Sequence, residues 1–204
     1  MKRTIGYVVI SIFVILTFGY VFAGQKDTEI IEKQTKTIKT VSAEFVQEKH
    51  LKILSNPLIS KGKLYYQAPR SLRWEYFTPV KSILLVNKGK VKRYIIRDQK
   101  VIEDSSAKMQ SMHIVMDEIA MWLSGRFDHN PDFAVENKDK NRIVLKPVKQ
   151  AFLNIINRIE IYLSDRPGII HSVMIYESVD SYTRLEFKKV ILNEKLSDSL
   201  FKEI

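Results

Sequence analysis

Residues 65–79 read YYQAPRSLRWEYFTP, so five aromatic residues, two arginines and two prolines fall in one short stretch. Aromatic side chains interleaved with cations suit three kinds of chemistry: stacking of nucleic-acid bases, holding of lipid in a pocket, or packing within a strand pair. In a strand, Leu72, Trp74 and Tyr76 point to one face while Arg73 and Glu75 point to the other. Leu64 and Tyr66 line the same face from the strand before, Pro69 breaks the ladder between the two, and Ser71 lies in the short link. One face is therefore aromatic and aliphatic and the other charged. If the sheet curls around the apolar face, the hollow is lined by Trp and Tyr and suits acyl chains. Each CH₂ buried there contributes about 0.8 kcal/mol.

A second element of unusual composition lies further on. The spacing predicts a helix over Ala107–Ser124, closing at Gly125, with Met109, Met112, Met116, Ile119 and Leu123 on one face. Met121 and Trp122 widen the apolar surface. The helix is either a core element packed on the sheet or a deformable lid, since unbranched Met side chains adapt to ligands of varied shape.

Catalytic constellations are scarce. His50, His113, His129 and His171 show no metal-ligand spacing, and there is no G-x-S-x-G elbow or phosphate-cradling glycine loop. The acidic pairs Glu103-Asp104 and Asp117-Glu118 are adjacent in sequence, which in a strand sends them to opposite faces. The expectation is a protein that is not an enzyme and uses no cofactor or metal.

The N-terminus carries an address. Lys2 and Arg3 precede an uncharged apolar run, Ile5 to Phe22, and Val21-Phe22-Ala23 offers permissive side chains for cleavage before Gly24. Residues 1–23 thus read as a cleaved signal peptide and residues 24–204 as one exported domain; an uncleaved anchor is the competing reading. The expected location is outside the cytoplasm. Without cysteine, no disulfide supports the domain, which is long enough to rely on its core. Loss of Lys2 and Arg3 lowers the formal net charge of +10 by two. Export argues against nucleic acid as the partner, and the cations are scattered among acids in KTIKT, NKGKVKRY and VENKDKNR.

The rest of the chain is organised in short alternating runs. A helix is expected over Asp27–Thr40, and from Val41 the period becomes two, opening a strand in SAEFVQEKH. Further strands are expected at Ile59–Gln67, Leu72–Phe77, Ile83–Val86, Val91–Arg97, Phe133–Glu136, Ile143–Lys146, Ile159–Leu163, Ile169–Glu177 and Tyr182–Leu192. Asn56-Pro57, Asn87-Lys88-Gly89, Asn137 to Asn141 and Arg166-Pro167-Gly168 supply the turns between them. The fold class is mainly antiparallel β with a few helices (α+β): one large sheet that curls into an incomplete barrel.

Taken together, KTIKTVSAEFVQEKHL, GKLYYQAPRSLRWEY-x-x-P and the ILLVNKGKV hairpin resemble the periplasmic outer-membrane lipoprotein carrier family LolA, with a looser match through NEKLSDSLF. The resemblance implies an incomplete barrel whose hollow is covered by a helical lid. It also implies a monomeric carrier, or chaperone, that shields lipoprotein acyl chains between an ABC-type extractor in the inner membrane and an acceptor at the outer membrane. Carried over by position, Phe45 and Gln47 lie on the first strand, Trp74 faces the cavity, and Leu72 is the apolar position two before it. One departure is Ala68, where relatives place an arginine before the first proline; Arg70 and Arg73 are then the candidates for the lid and transfer role. Two alternatives stand beside the carrier: a relative carrying another lipid, and an envelope-stress sensor that binds a regulatory membrane protein.

Overall fold

Alternation of apolar and polar side chains carries nearly all of the described chain into strands. The computed structural model describes residues 38–69, 71–88, 90–104, 119, 122, 132–139, 141–166, 169–202 and 204. The strands are β1 (Thr40–His50), β2 (Leu58–Gln67), β3 (Ser71–Thr78), β4 (Ser82–Asn87), β5 (Lys90–Arg97), β6 (Lys100–Glu103), β7 (Phe133–Lys138), β8 (Arg142–Pro147), β9 (Arg158–Leu163), β10 (Ile170–Tyr176) and β11 (Tyr182–Leu192). They form one antiparallel sheet in the order β6-β5-β4-β3-β2-β1-β11-β10-β9-β8-β7. β6 and β7 are its edges, so the barrel is open. Two sets of consecutive hairpins are thus joined by the β1–β11 pair, which runs from Val41 opposite Leu192 to His50 opposite Tyr182.

The sheet curls strongly. Trp74 on β3 and Phe187 on β11 are three strand spacings apart, roughly 14 Å along a flat sheet. Their ring centroids nevertheless lie 6.2 Å from each other. Side chains from both limbs therefore meet on the concave side, where Leu64, Trp74 and Leu84 share one core with Ile143, Ile161, Val173 and Leu185.

Two-residue turns set the register of two hairpins. Asn87 pairs with Lys90, and Lys88 in the turn has φ 50°. Arg97 pairs with Lys100 across Asp98 and Gln99, at φ 49° and 59°. Positive φ at both central residues gives the twist that matches paired strands. This second hairpin adds β6, a strand that the sequence reading omits.

Among the described residues helix is scarce. The described helical segments are one turn, α1 (Gln150–Leu153), and a 3-10 turn at Asp198–Phe201. The expected N-terminal helix does not reach Thr40, which opens β1, and Ile38 and Lys39 are also non-helical. Pairing with Gln67 draws Thr40 into the sheet. Residues 27–37 of that expected helix lie outside the described residues, as do Met109, Met112, Met116 and Leu123 of the second one. Ile119 and Trp122 are described: both are helical and buried in the core beneath the sheet. A helical cover over the hollow is therefore not supported beyond these two side chains.

Candidate functional site

The concave face is built from the strand residues that share one side of the pleat. Leu64 on β2 stands opposite Trp74 on β3, and Tyr66 stands opposite Leu72. Each of these four side chains is fully buried. Phe45 on β1 reaches across β2 to lie 4.6 Å from the Trp74 ring and 5.2 Å, edge-on, from the Tyr76 ring. That reach exists because the intervening residue on β2 is Gly62, paired with Phe45 on one side and Tyr76 on the other. A Cβ at Gly62 would lie 2.6 Å from Cζ of Phe45 and would also collide with the Glu75 carbonyl oxygen. A single glycine within a strand pattern carries no local signal of this role; as the gap that admits a ring it is set by the register.

Two polar features sit within this apolar face. The Tyr76 hydroxyl donates to Oε1 of Gln47 at 2.8 Å, and burial pushes the phenol up to about 12 against smaller opposing effects of Trp74 and Arg93. Nε1 of Trp74 and Nε1 of Trp122 are buried and, among the described residues, make no hydrogen bond of ordinary geometry. A buried donor without an acceptor costs about 1–3 kcal/mol.

The hollow is graded from one end to the other. Along the concave positions of β2, Tyr66 and Leu64 are fully buried, Ser60 is half-buried and Leu58 is 52% exposed. Among the described residues it is closed toward the β2–β3 turn and open toward the β1–β2 turn. Voids lined by described residues include a small apolar gap of about 10 Å³ between Val41, Ala43, Ile170 and Phe187, a rim pocket of about 260 Å³ near Arg166, and a larger groove on the other face.

Arg73 does not face the hollow. Strand alternation sends it to the convex side, where Nε donates to Glu75 at 3.0 Å and a terminal nitrogen donates to the Leu200 carbonyl at 3.2 Å. The Asn87 amide donates to the Phe201 carbonyl at 3.2 Å, and Phe201 is buried. Arg73 thus fastens the C-terminal turn to the back of β3 and β4. Arg70 lies outside the described residues. Asn87→Ala should loosen the same turn: we expect about 1 kcal/mol of lost stability, together with faster proteolysis at the C-terminus in a timed digest.

The convex face carries an arrangement that sequence reading missed. Arg158, Tyr176, Tyr182 and His50 sit in register on β9, β10, β11 and β1. The Arg158 guanidinium lies 3.7 Å from the Tyr176 ring centroid, Tyr176 and Tyr182 are 5.9 Å apart, and His50 stacks on Tyr182 at 4.3 Å. Tyr176, Tyr182 and His50 border a shallow groove of about 450 Å³ that also takes in Met174 and Arg184. Beside it, Glu160 is 3% exposed and accepts from Tyr162 at 2.6 Å and from Arg158 at 2.7 Å, with Arg142 at 3.0 Å. Burial alone would raise the Glu160 pKa, but these three donors and their charge outweigh it and hold the carboxyl at about 2.

Comparison with known proteins places the chain. A curated outer-membrane lipoprotein carrier protein from Francisella philomiragia subsp. philomiragia is 27% identical over 95% of this chain and 91% of its own length. A conserved protein from Thermus thermophilus shares the fold at a TM-score of 0.52 and 11% identity, over 89% of this chain and 93% of that one. MucB in its complex with MucA from Pseudomonas aeruginosa matches at a TM-score of 0.47 and 11% identity, over 86% of this chain and 59% of the other. The model of the outer membrane lipoprotein carrier protein LolA family matches residues 36–203, and the chain belongs to that family.

Proposed function

We propose that this protein is a carrier that shields the acyl chains of lipoproteins while they cross the periplasm. Its N-terminal 23 residues act as the export signal, and residues 24–204 form the carrier. It takes cargo from an ABC-type extractor in the inner membrane and gives it to an acceptor at the outer membrane, as a monomer and without chemistry of its own. Family membership supports this reading. The observation that carries it is the pairing of an apolar, aromatic hollow with two buried indole N–H groups that make no hydrogen bond of ordinary geometry among the described residues.

A core needed only for stability would be served by Phe at both positions. Trp offers in addition a donor, and an acyl ester offers a carbonyl acceptor at the head of an apolar chain. Leu64, Tyr66, Leu72, Trp74 and Tyr76 form the sheet wall for the chains, and Ile119 with Trp122 forms the opposite wall. Met109, Met112, Met116 and Leu123 are proposed to continue that wall. With the side chains packed against one another, entry of cargo requires the two walls to separate, so binding selects an opened state. The exposure gradient along β2 gives the acyl chains a way in from the β1–β2 end.

The test uses two readouts. Native mass spectrometry of the purified protein should reveal a co-purifying acylated species, and depletion of the protein in cells should strand lipoproteins at the inner membrane. Absence of both sinks the reading. Trp74→Phe with Trp122→Phe should keep the circular dichroism spectrum while weakening binding of an ester-linked diacyl lipid by about tenfold, the worth of one to two net hydrogen bonds. Binding of the ether-linked analogue should be unchanged. Full-strength ester binding by the double variant would remove the indoles from the site.

A further inference from the structure

Most of the exposed large apolar side chains among the described residues lie toward one end of the sheet, Ile191 at the far end of β11 being an exception. Antiparallel pairing puts the β1–β2, β3–β4, β5–β6 and β10–β11 turns, together with α1, at the end where the hollow opens. Ile53 is 87% exposed and Val179 96%, and they sit at the tips of the β1–β2 and β10–β11 turns. Leu54, Phe77, Val80 and Leu153 are also exposed at this end. The described turns at the opposite end carry no exposed large apolar side chain.

Cations stand among these tips. Lys81, Arg97 and Lys100 are exposed on the β3–β4 and β5–β6 turns, and Lys52 beside Ile53 is also exposed. Lys52 meets Asp180 at 3.0 Å and its backbone N–H donates to the Ser181 hydroxyl at 3.4 Å, ties that hold Ile53 and Val179 on neighbouring tips. The side chains project from separate turns, so they do not offer a partner helix or strand a continuous bed. Isolated apolar tips interspersed with lysine and arginine match a bilayer surface, where the tips enter the acyl boundary and the cations meet anionic headgroups. The formal charge, +10 for the full chain and two less without Lys2 and Arg3, favours the same surface.

We propose that this rim is a membrane-docking surface for anionic phospholipid, through which the protein sets the open end of its hollow against a bilayer. The proposal does not rest on acyl-chain cargo: a rim can dock whether or not the hollow is loaded.

The full chain contains no cysteine, so single labels are clean. An environment-sensitive fluorophore is placed on Ile53→Cys, Val80→Cys or Val179→Cys, with Ile191→Cys at the far end of β11 as the control position. Each labelled protein is mixed with protein-free vesicles of phosphatidylglycerol and phosphatidylethanolamine, or of phosphatidylcholine alone. The rim labels should shift to the blue and be quenched by spin-labelled acyl chains in the anionic vesicles, while the Ile191 label should not change. Lys81→Glu should weaken the partitioning read at Ile53 by at least about fivefold, a loss that 0.5 M salt reproduces in the unaltered rim. Equal shifts at Ile191 and Ile53 would overturn the proposal, because attachment by the N-terminal apolar segment does not distinguish the two ends. Shifts that need native membrane proteins in the vesicles would also overturn it and assign the rim to a protein partner.

Discussion

Gly62→Val should destabilise the sheet by about 3 kcal/mol or more, the upper range for forcing added volume into a packed site. The added Cβ meets Cζ and Cε1 of Phe45 at 2.6 and 2.8 Å, and it meets the backbone carbonyl oxygen of Glu75 closer still. The ring could turn aside, at the expense of its packing on Trp74 and Tyr76. The carbonyl cannot turn, since it belongs to β3 where that strand pairs with β2 and the register shifts between Lys61 and Gly62. Urea denaturation of Gly62→Ala, Gly62→Val and Gly62→Ala with Phe45→Leu separates the two clashes. We expect the double variant to regain only part of the loss, because the backbone contact remains. Full recovery would show that the ring alone forbids a side chain there.

Glu160→Gln should remove roughly 3 kcal/mol of stability at pH 7. The figure follows from the carboxyl being held at about 2 against an ordinary value of 4.5, with one pKa unit worth about 1.4 kcal/mol. The sign follows from linkage. A carboxyl whose pKa is lower in the folded state contributes its full stability above the unfolded value and loses it as pH falls toward the folded value. The difference between the two proteins should therefore be constant above about pH 5 and shrink progressively between about pH 4.5 and 2. Denaturant midpoints measured across that range check it. A difference that instead stays constant down to pH 2 would mean that the two arginines and Tyr162 do not act through the charge. Two cations, Arg142 and Arg158, are left facing a neutral amide in the variant, so loss of the carboxylate matters more than loss of any single hydrogen bond.

Local chemistry made much of this fold legible in the sequence. Period-two alternation located most of the strands, and it assigned Leu72, Trp74 and Tyr76 to one face and Arg73 to the other. What the sequence hid depended on distant pairing or on weak local signals. β6 escaped because its hairpin turn is Asp98-Gln99, with no glycine to announce the positive φ values, and because the strand is four residues long. The ladder of Arg158, Tyr176, Tyr182 and His50 is spread over a span of more than a hundred residues and becomes a unit only through strand register. The mouth rim is hidden in the same way, since Ile53, Val80 and Val179 belong to turns that become neighbours once the sheet is assembled. Gly62 looked like any strand glycine until Phe45 was seen to lie across it. For the helical cover, Ile119 and Trp122 lie against the core, while most of the methionine face falls outside the described residues.

The pairing of β1 with β11 also governs the order in which the molecule can assemble. The first described strand and the last one lie side by side at the middle of the sheet, and strand pairing joins the hairpins on either side of them only along that seam. Until β11 has been synthesised, β1 has one neighbour and the Trp74 ring lacks Phe187. The shared core between the two limbs is thus a late event, made by closing a loop that spans nearly the whole described chain. Contacts so distant in sequence slow folding to the millisecond-to-second range of β-rich domains. A growing chain of this protein remains without its central seam, and so without its finished core, until its last strand is available.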